Sequence, residues 1–203
     1  MMNSGQTEIQ KRIERFFSYV GGILDTCESI LNDHQNSDWG ARKRIVLNTL
    51  FALLSLLATC YCAGETRKKG RPKSGIEFIS FVNAFWDQAK EKRLYSIEFI
   101  KNNKTVERKC LSSSQLLWEA RNFLAHQFEQ TGITFDDKTD ARVIFADPGD
   151  AIEYKGSDHV EVGVNVWGLL RMVRDVSKKY KQYCLERCIY PPSNVLTHEL
   201  RAV

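Results

Sequence analysis

Between residues 7 and 31 the apolar side chains Ile9, Ile13, Phe16, Phe17, Val20, Ile23, Leu24, Cys27, Ile30 and Leu31 recur at intervals of three and four. That is the period of one helix face, so the segment is predicted to be a long amphipathic helix. The pair Gly21-Gly22 is a place for it to kink, and the polar run 32–38 reads as a loop ending in a helix cap. Residues 45–63 are almost continuously apolar with basic groups beyond both ends, a pattern shared by a membrane span and by the centre of a helical bundle. Asn48, Thr49, Ser55 and Thr59 interrupt the run, and the bundle centre is the reading adopted.

Ile76, Ile79, Phe81, Val82, Phe85, Trp86 and Ala89 mark another amphipathic helix over 76–89. Residues 94–100 alternate, and Asn102-Asn103 offers a turn into 105–108, so a hairpin and a frayed helix both fit. Ser112 and Gln115 stand at capping-box spacing ahead of Leu116 and Leu117, which predicts a helix running to Gln130 and stopping at Gly132. Residues 141–146, the turn Asp147-Pro148-Gly149-Asp150 and residues 151–155 read as a hairpin, with 159–162 as a further strand. Asn165 caps a last long helix through Leu169, Val173, Val176, Tyr180 and Cys184, and Pro191-Pro192 ends regular structure. The fold class is therefore mainly α: a bundle of about five helices with a small β-hairpin insertion at 141–163, between the helix that starts at Ser112 and the last one. Residues 1–190 form one domain and 191–203 a tail.

The chain has 203 residues, 43% of them apolar, which is enough to bury one core and too little for two full domains. A net charge of +4 is compatible with a polyanionic partner without requiring one. Its distribution is more informative. Arg67, Lys68, Lys69, Arg71 and Lys73 make a basic loop around Gly70 and Pro72, and smaller clusters fall at Arg42-Lys43-Arg44 and along Arg171, Arg174, Lys178, Lys179 and Lys181. Each suits phosphate contact, though a solvated loop or helix face is the commoner fate of such runs. Six cysteines without a signal-peptide pattern read as reduced cytosolic thiols, and neither Cys60-x-Cys62 nor Cys184-x3-Cys188 has the spacing of a zinc knuckle. No metal or cofactor is expected.

On a helical wheel, Gln115, Glu119, Asn122, His126, Glu129 and Gln130 share one polar arc, while Leu116, Leu117, Trp118, Ala120, Phe123, Leu124, Ala125 and Phe128 fill the rest. Arg121 sits among the apolar set. A guanidinium there must snorkel, find an acid, or point into a cleft where its charge is used. Asn122 and His126, four residues apart, lie on one face. Arg121 and His126 are about 140° apart on the wheel, so a second copy of the helix across a two-fold axis would bring each histidine to the other copy's arginine and asparagine.

Arg121-Asn122-x3-His126, late in a helical bundle, resembles the signature of the HEPN (higher eukaryotes and prokaryotes nucleotide-binding) superfamily. The resemblance implies a homodimeric, metal-independent endoribonuclease that uses the substrate's 2′-hydroxyl as nucleophile and leaves a 2′,3′-cyclic phosphate. It implies His126 as general base or acid, Arg121 as phosphate clamp and Asn122 as orienting group, roles that suit the side chains chemically. Glu119 and the loop cations Arg67, Lys68, Lys69, Arg71 and Lys73 are added as substrate-contacting candidates. A cytoplasmic toxin or defence protein, with RNA as substrate and an antitoxin or regulatory protein as further partner, follows from the same resemblance. One position departs from it: where the nucleotidyltransferase-regulated branch has a modifiable tyrosine two residues after the histidine, this chain has Phe128, which has no hydroxyl. The alternative is a non-catalytic helical module that binds RNA, a nucleotide or a protein through the same groove. A membrane protein anchored by 45–63 is a third reading.

Overall fold

The computed structural model describes residues 4–33, 39–65, 74–101, 105–126, 133–136, 143–146 and 162–191. Five α-helices dominate: α1 (Ser4–Asn32), α2 (Trp39–Glu65), α3 (Ser74–Phe85), α4 (Ser113–His126) and α5 (Val166–Arg187). Two small sheets accompany them. β1 (Leu94–Lys101) and β2 (Thr105–Ser112) form an antiparallel hairpin before α4, and β3 (Ile133–Asp136), β4 (Ile144–Ala146) and β5 (Val162–Asn165) lie between α4 and α5.

The bundle with a β insertion ahead of the last helix is as the patterning predicts. The insertion, however, is a mixed three-stranded sheet in which the central β5 pairs parallel with β3 and antiparallel with β4. Residues 144–146 pair with 162–164, and residues 151–155, expected as the partner strand, lie outside the described residues. Three residues of a strand carry little pattern of their own, and β3 was not anticipated at all. The hairpin, one of two readings for 94–108, is the one adopted.

α1 buries a single stripe, Ile13, Phe17, Val20, Leu24, Cys27 and Leu31, and runs unbroken through Gly21-Gly22. α2 packs against all four other helices, and Val46, Leu50, Leu54 and Leu57 are sealed from solvent. A helix with neighbours on most sides is expected to be apolar on those sides; on the remaining side of α2 Ile45 and Leu56 are exposed. The stretch Gly40–Cys62 is also long and apolar enough to cross a membrane; 56% of its most apolar window is buried inside the protein. Tyr180 of α5 is the hub of the core, its ring meeting Phe17 of α1, Tyr61 of α2, and Phe81 and Phe85 of α3 at centroid distances of 5.4–6.0 Å. These are edge-on and tilted contacts, the geometries favoured by ring quadrupoles.

Charge fastens the outside. Arg174 reaches Asp25 and Glu28 of α1 at 2.7 Å each, Lys181 pairs with Glu14, and Lys179 bonds Asp87 at 2.6 Å in the short 3-10 turn Asp87–Lys90. Three of the five basic residues along α5 are therefore ties between elements and not free phosphate contacts. Likewise Arg42 of α2 holds Asp33, just past the end of α1, at 2.6 Å. α5 begins at a side-chain cap, with Gly168 N–H donating to Asn165 Oδ1 at 2.7 Å, and ends where Cys188 takes a left-handed φ of 52°. There the Ile189 amide donates to the Cys184 carbonyl at 2.9 Å, closing the last turn.

Candidate functional site

β2 passes into α4 with no intervening residue: Ser112 ends the strand and Ser113 opens the helix. The capping box forms as its spacing predicts. The Ser112 amide donates to Gln115 Oε1 at 2.9 Å, and the Gln115 amide donates back to Ser112 Oγ at 3.4 Å. Below the cap Leu116, Leu117, Ala120 and Leu124 are buried, and they fix which way the helix faces. Phe123 stacks on Phe135 of β3 at 6.1 Å, tying the far half of α4 to the three-stranded sheet. Ala125, expected in the packed sector, is exposed, because the buried stripe is narrower than the apolar sector of the wheel.

Arg121 is half-buried and takes the first of the three options open to it. Its guanidinium carbon lies 5.0 Å from the centroid of the Trp118 ring, and Nη1 donates to Asn122 Oδ1 at 3.1 Å. Among the described residues it has no carboxylate partner. An indole face and a neutral amide orient the fork without neutralising it, so its positive charge and remaining N–H donors stay available to an anion. Asn122 is thereby engaged with Arg121, a pairing the wheel, which sets it with His126, does not suggest. Glu119 is half-buried beside them on the helix and has no ion-pair partner among the described residues.

Trp118 also packs against α3. Its ring lies 5.5 Å from Phe78, and a methyl group added at Gly75 would come within 3.0 Å of the indole. Trp118, Gly75 and Phe78 were missed as parts of the site. The wheel places the tryptophan only in the apolar set, and the one sequence signal for its role is that Arg121 follows it by three. His126 is the last residue of α4, one turn beyond Asn122 in the helix; its side chain lies outside the described part of the structure. So do Arg67, Lys68, Lys69, Arg71 and Lys73, although the chain leaves that segment at Ser74, next to the glycine that touches Trp118.

Activated nucleophiles are not found among the buried thiols. Burial pushes Cys60 and Cys184 up to about 12, and raises Cys27 against the opposing influence of Arg174, so these cysteines are neutral. Burial likewise raises Tyr180, whose hydroxyl is bonded to Cys184. Among the described residues no group of three or more His, Cys, Asp or Glu side chains is arranged to hold a metal ion. A groove of about 450 Å³ opens between α1 and α5, lined by Phe17, Val20, Leu24, Arg174 and Ser177, and includes none of the motif residues. Compared with models of known families, with curated proteins and with solved structures, the chain has no match.

Proposed function

We propose that the chain is a metal-independent endoribonuclease of the HEPN type, acting as a homodimer on RNA. The observation that carries the reading is the state of Arg121: a half-buried guanidinium set by Trp118 and Asn122, with no carboxylate to satisfy it among the described residues. Such a group binds a phosphodiester and stabilises the charge that develops on its oxygens. In the reaction the ribose 2′-hydroxyl loses its proton and attacks the adjacent phosphorus. The 5′-oxygen then leaves with a proton, giving a 2′,3′-cyclic phosphate and a free 5′-hydroxyl. His126 takes or delivers a proton, a role open to an imidazole because its ring nitrogens can act as acid or as base. A second copy supplies the complementary motif across the two-fold axis. The cations at 67–73, joined to α3 next to Gly75, are suited to follow the flanking RNA backbone. A cytoplasmic role in defence or growth arrest, checked by an antitoxin or other regulatory protein, rests on the motif's resemblance alone.

The test is cleavage of single-stranded and structured RNA in EDTA by wild type, His126→Ala and Arg121→Ala. Wild type is expected to give cyclic-phosphate ends, and both variants to lose at least about a hundred-fold in rate. Equal cleavage by wild type and His126→Ala removes the histidine and with it this mechanism. RNA retained without any product moves the chain to the non-catalytic alternative.

A further inference from the structure

We infer that the outward face of α2 is a self-association surface that packs antiparallel against α2 of a second copy about a two-fold axis, with Ile45 of each copy seated on Leu56 of the other. The inference stands apart from the nuclease reading and from the pairing of motif helices which that reading assumes, because none of the surface residues belongs to α4.

The first observation is a solvent-facing stripe without charge. Ile45, Asn48, Ala52 and Leu56, spaced at threes and fours, are exposed along one side of α2, with Thr49, Ser55 and Thr59 partly so. Ile45 is 56% exposed and Leu56 43%, both high for large apolar side chains. From Ile45 to Gly64 the chain has no charged residue, so this side of the helix lacks the Lys, Arg, Asp and Glu that usually mark a helix face turned to water. Two of its hydroxyls are already satisfied: Thr49 Oγ1 donates to the Ile45 carbonyl at 2.9 Å, and Ser55 Oγ to the Phe51 carbonyl at 2.8 Å. Covering the stripe therefore removes apolar surface from water and strands neither hydroxyl.

The second is that the stripe complements itself. Leu56 follows Ile45 by three turns, about 16 Å along the axis, and falls within about 20° of the same line on the helix. An antiparallel copy centred midway between them sets each on the other and brings Thr49 opposite Ala52. Bulky residues then meet at the two ends and small ones in the middle, which lets the backbones approach there.

The third is charge. Arg42, Lys43 and Arg44 lie in the first two turns of α2, its last turn has no basic residue, and it ends at Glu65. That is the reverse of the arrangement a helix's own dipole favours. Asp33 answers Arg42, whereas Arg44 is exposed and has no carboxylate partner among the described residues. An antiparallel partner lays its C-terminal half, the negative end of its dipole, alongside these cations, and a two-fold axis does so twice. A lipid bilayer, the other occupant of an uncharged helix face, fits less well: Asn48 stands in the stripe, and hydrocarbon offers its amide no partner.

The experiment is disulfide trapping in the full chain, with Cys110 and Cys188 replaced by serine. Chains carrying Ile45→Cys and chains carrying Leu56→Cys are mixed in equal amounts, oxidised with copper phenanthroline and read by mass spectrometry. The link between position 45 of one copy and 56 of the other is expected to exceed the 45–45 and 56–56 links by at least about five-fold, since like positions would stand about 16 Å apart, beyond the reach of a disulfide. Its yield should be half-maximal at about 10 μM protein or below, as for an interface of modest area. Ala52→Arg, an exposed substitution that puts two like charges near the axis, should melt close to its parent and cut the yield at least about ten-fold. No link at about 100 μM, like-with-like links as abundant as the mixed one, or an Ala52→Arg chain trapped as readily as its parent overturns the proposal. Binding to phosphatidylcholine–phosphatidylglycerol vesicles that Ala52→Arg abolishes, in place of trapping, overturns it too and gives the face to a membrane. RNA cleavage is not a readout, so a chain that cuts no RNA can still be trapped, and one that cuts it can fail to be.

Discussion

The Arg121 guanidinium lies over the Trp118 indole, three residues back on the same helix, at 5.0 Å from the ring centre. The same indole packs against Gly75 and Phe78 of α3. The charge that the proposed chemistry depends on therefore rests on a ring of its own helix that a second helix packs against.

Gly75→Ala is expected to reduce RNA cleavage. Its new methyl would stand 3.0 Å from Cε2 and Nε1 of Trp118, so the ring must tilt and carry the guanidinium with it. A loss of about three- to ten-fold in kcat/KM matches the size of a cation–π contact and its misplacement. Trp118→Leu should cost more than Trp118→Phe, which keeps an aromatic face. Steady-state cleavage measured beside thermal melting checks this, and unchanged kinetics in Gly75→Ala would mean that Arg121 does not depend on its platform.

Asn122→Asp places a carboxylate where the neutral amide now accepts from Arg121. The fold should hold its stability or gain slightly, while RNA affinity falls by at least about ten-fold, more than for Asn122→Ala, because the clamp's charge is neutralised. The salt dependence of binding should lose about one unit of slope in the same variant. A filter-binding titration over salt reads both quantities; if Asn122→Ala binds no better than Asn122→Asp, the amide acts through its own contacts and not by leaving the arginine's charge free.

Thiol labelling should be strongly graded. Cys110 is exposed and Cys188 partly so, whereas Cys27, Cys60, Cys62 and Cys184 are buried. Held neutral by burial, Cys60 and Cys184 should react with an aromatic disulfide reagent only on unfolding. The order expected is Cys110 first, Cys188 more slowly and the other four with global opening, read by mass spectrometry. Labelling of Cys184 at the Cys110 rate would contradict the packing around Tyr180.

The bond between Asp87 and Lys179 gives stability a defined pH dependence. Hydrogen bonds from Lys179 and then Lys90 hold the Asp87 carboxyl below its ordinary 3.8. Its contribution is thus present above that ordinary value and is lost as pH falls through the lower, folded one. Lys179 is raised above 10.5 by Asp175 and Asp87, so its share is present below 10.5 and lost as pH rises through the raised value. Because Asp87 is fully exposed the effect is small, and Asp87→Asn should melt slightly below wild type at neutral pH. The difference should close in acid; a gap that persists from about pH 7 down to 2 would assign it to something other than this carboxylate.

What could be read without coordinates follows the length of each signal. α1 and α5 announce themselves through many turns of one period, α2 through its nearly unbroken apolar run, and the caps at Ser112 and Asn165 through a local rule that the atoms then obey. Arg121 stood out because a cation interrupts an apolar sector. Its setting did not, since the contacts of Trp118 with Gly75 and Phe78 join residues some forty positions apart and leave no periodic trace. The short strands failed for a similar reason: β3 and β4 are defined by pairing with β5, and three or four residues of alternation cannot name a partner. The α5 cations are visible as a run, but apart from Asp175 their acids lie on other elements.

Ser112 belongs at once to a strand ladder, opposite Leu94, and to the cap of the helix that follows. An isolated helix of 14 residues is marginal in water, because its first turn is the costly one to form. Here that turn is prepared by the zipper of the hairpin: once Leu94 and Ser112 are in register, the cap is in place and the helix has only to grow. The order of assembly expected from this is hairpin closure before growth of α4, which early amide protection of β1 and β2 relative to α4 would check. A slip of one residue between β1 and β2 would leave the helix without its start, and the proposed RNA clamp without a place to stand.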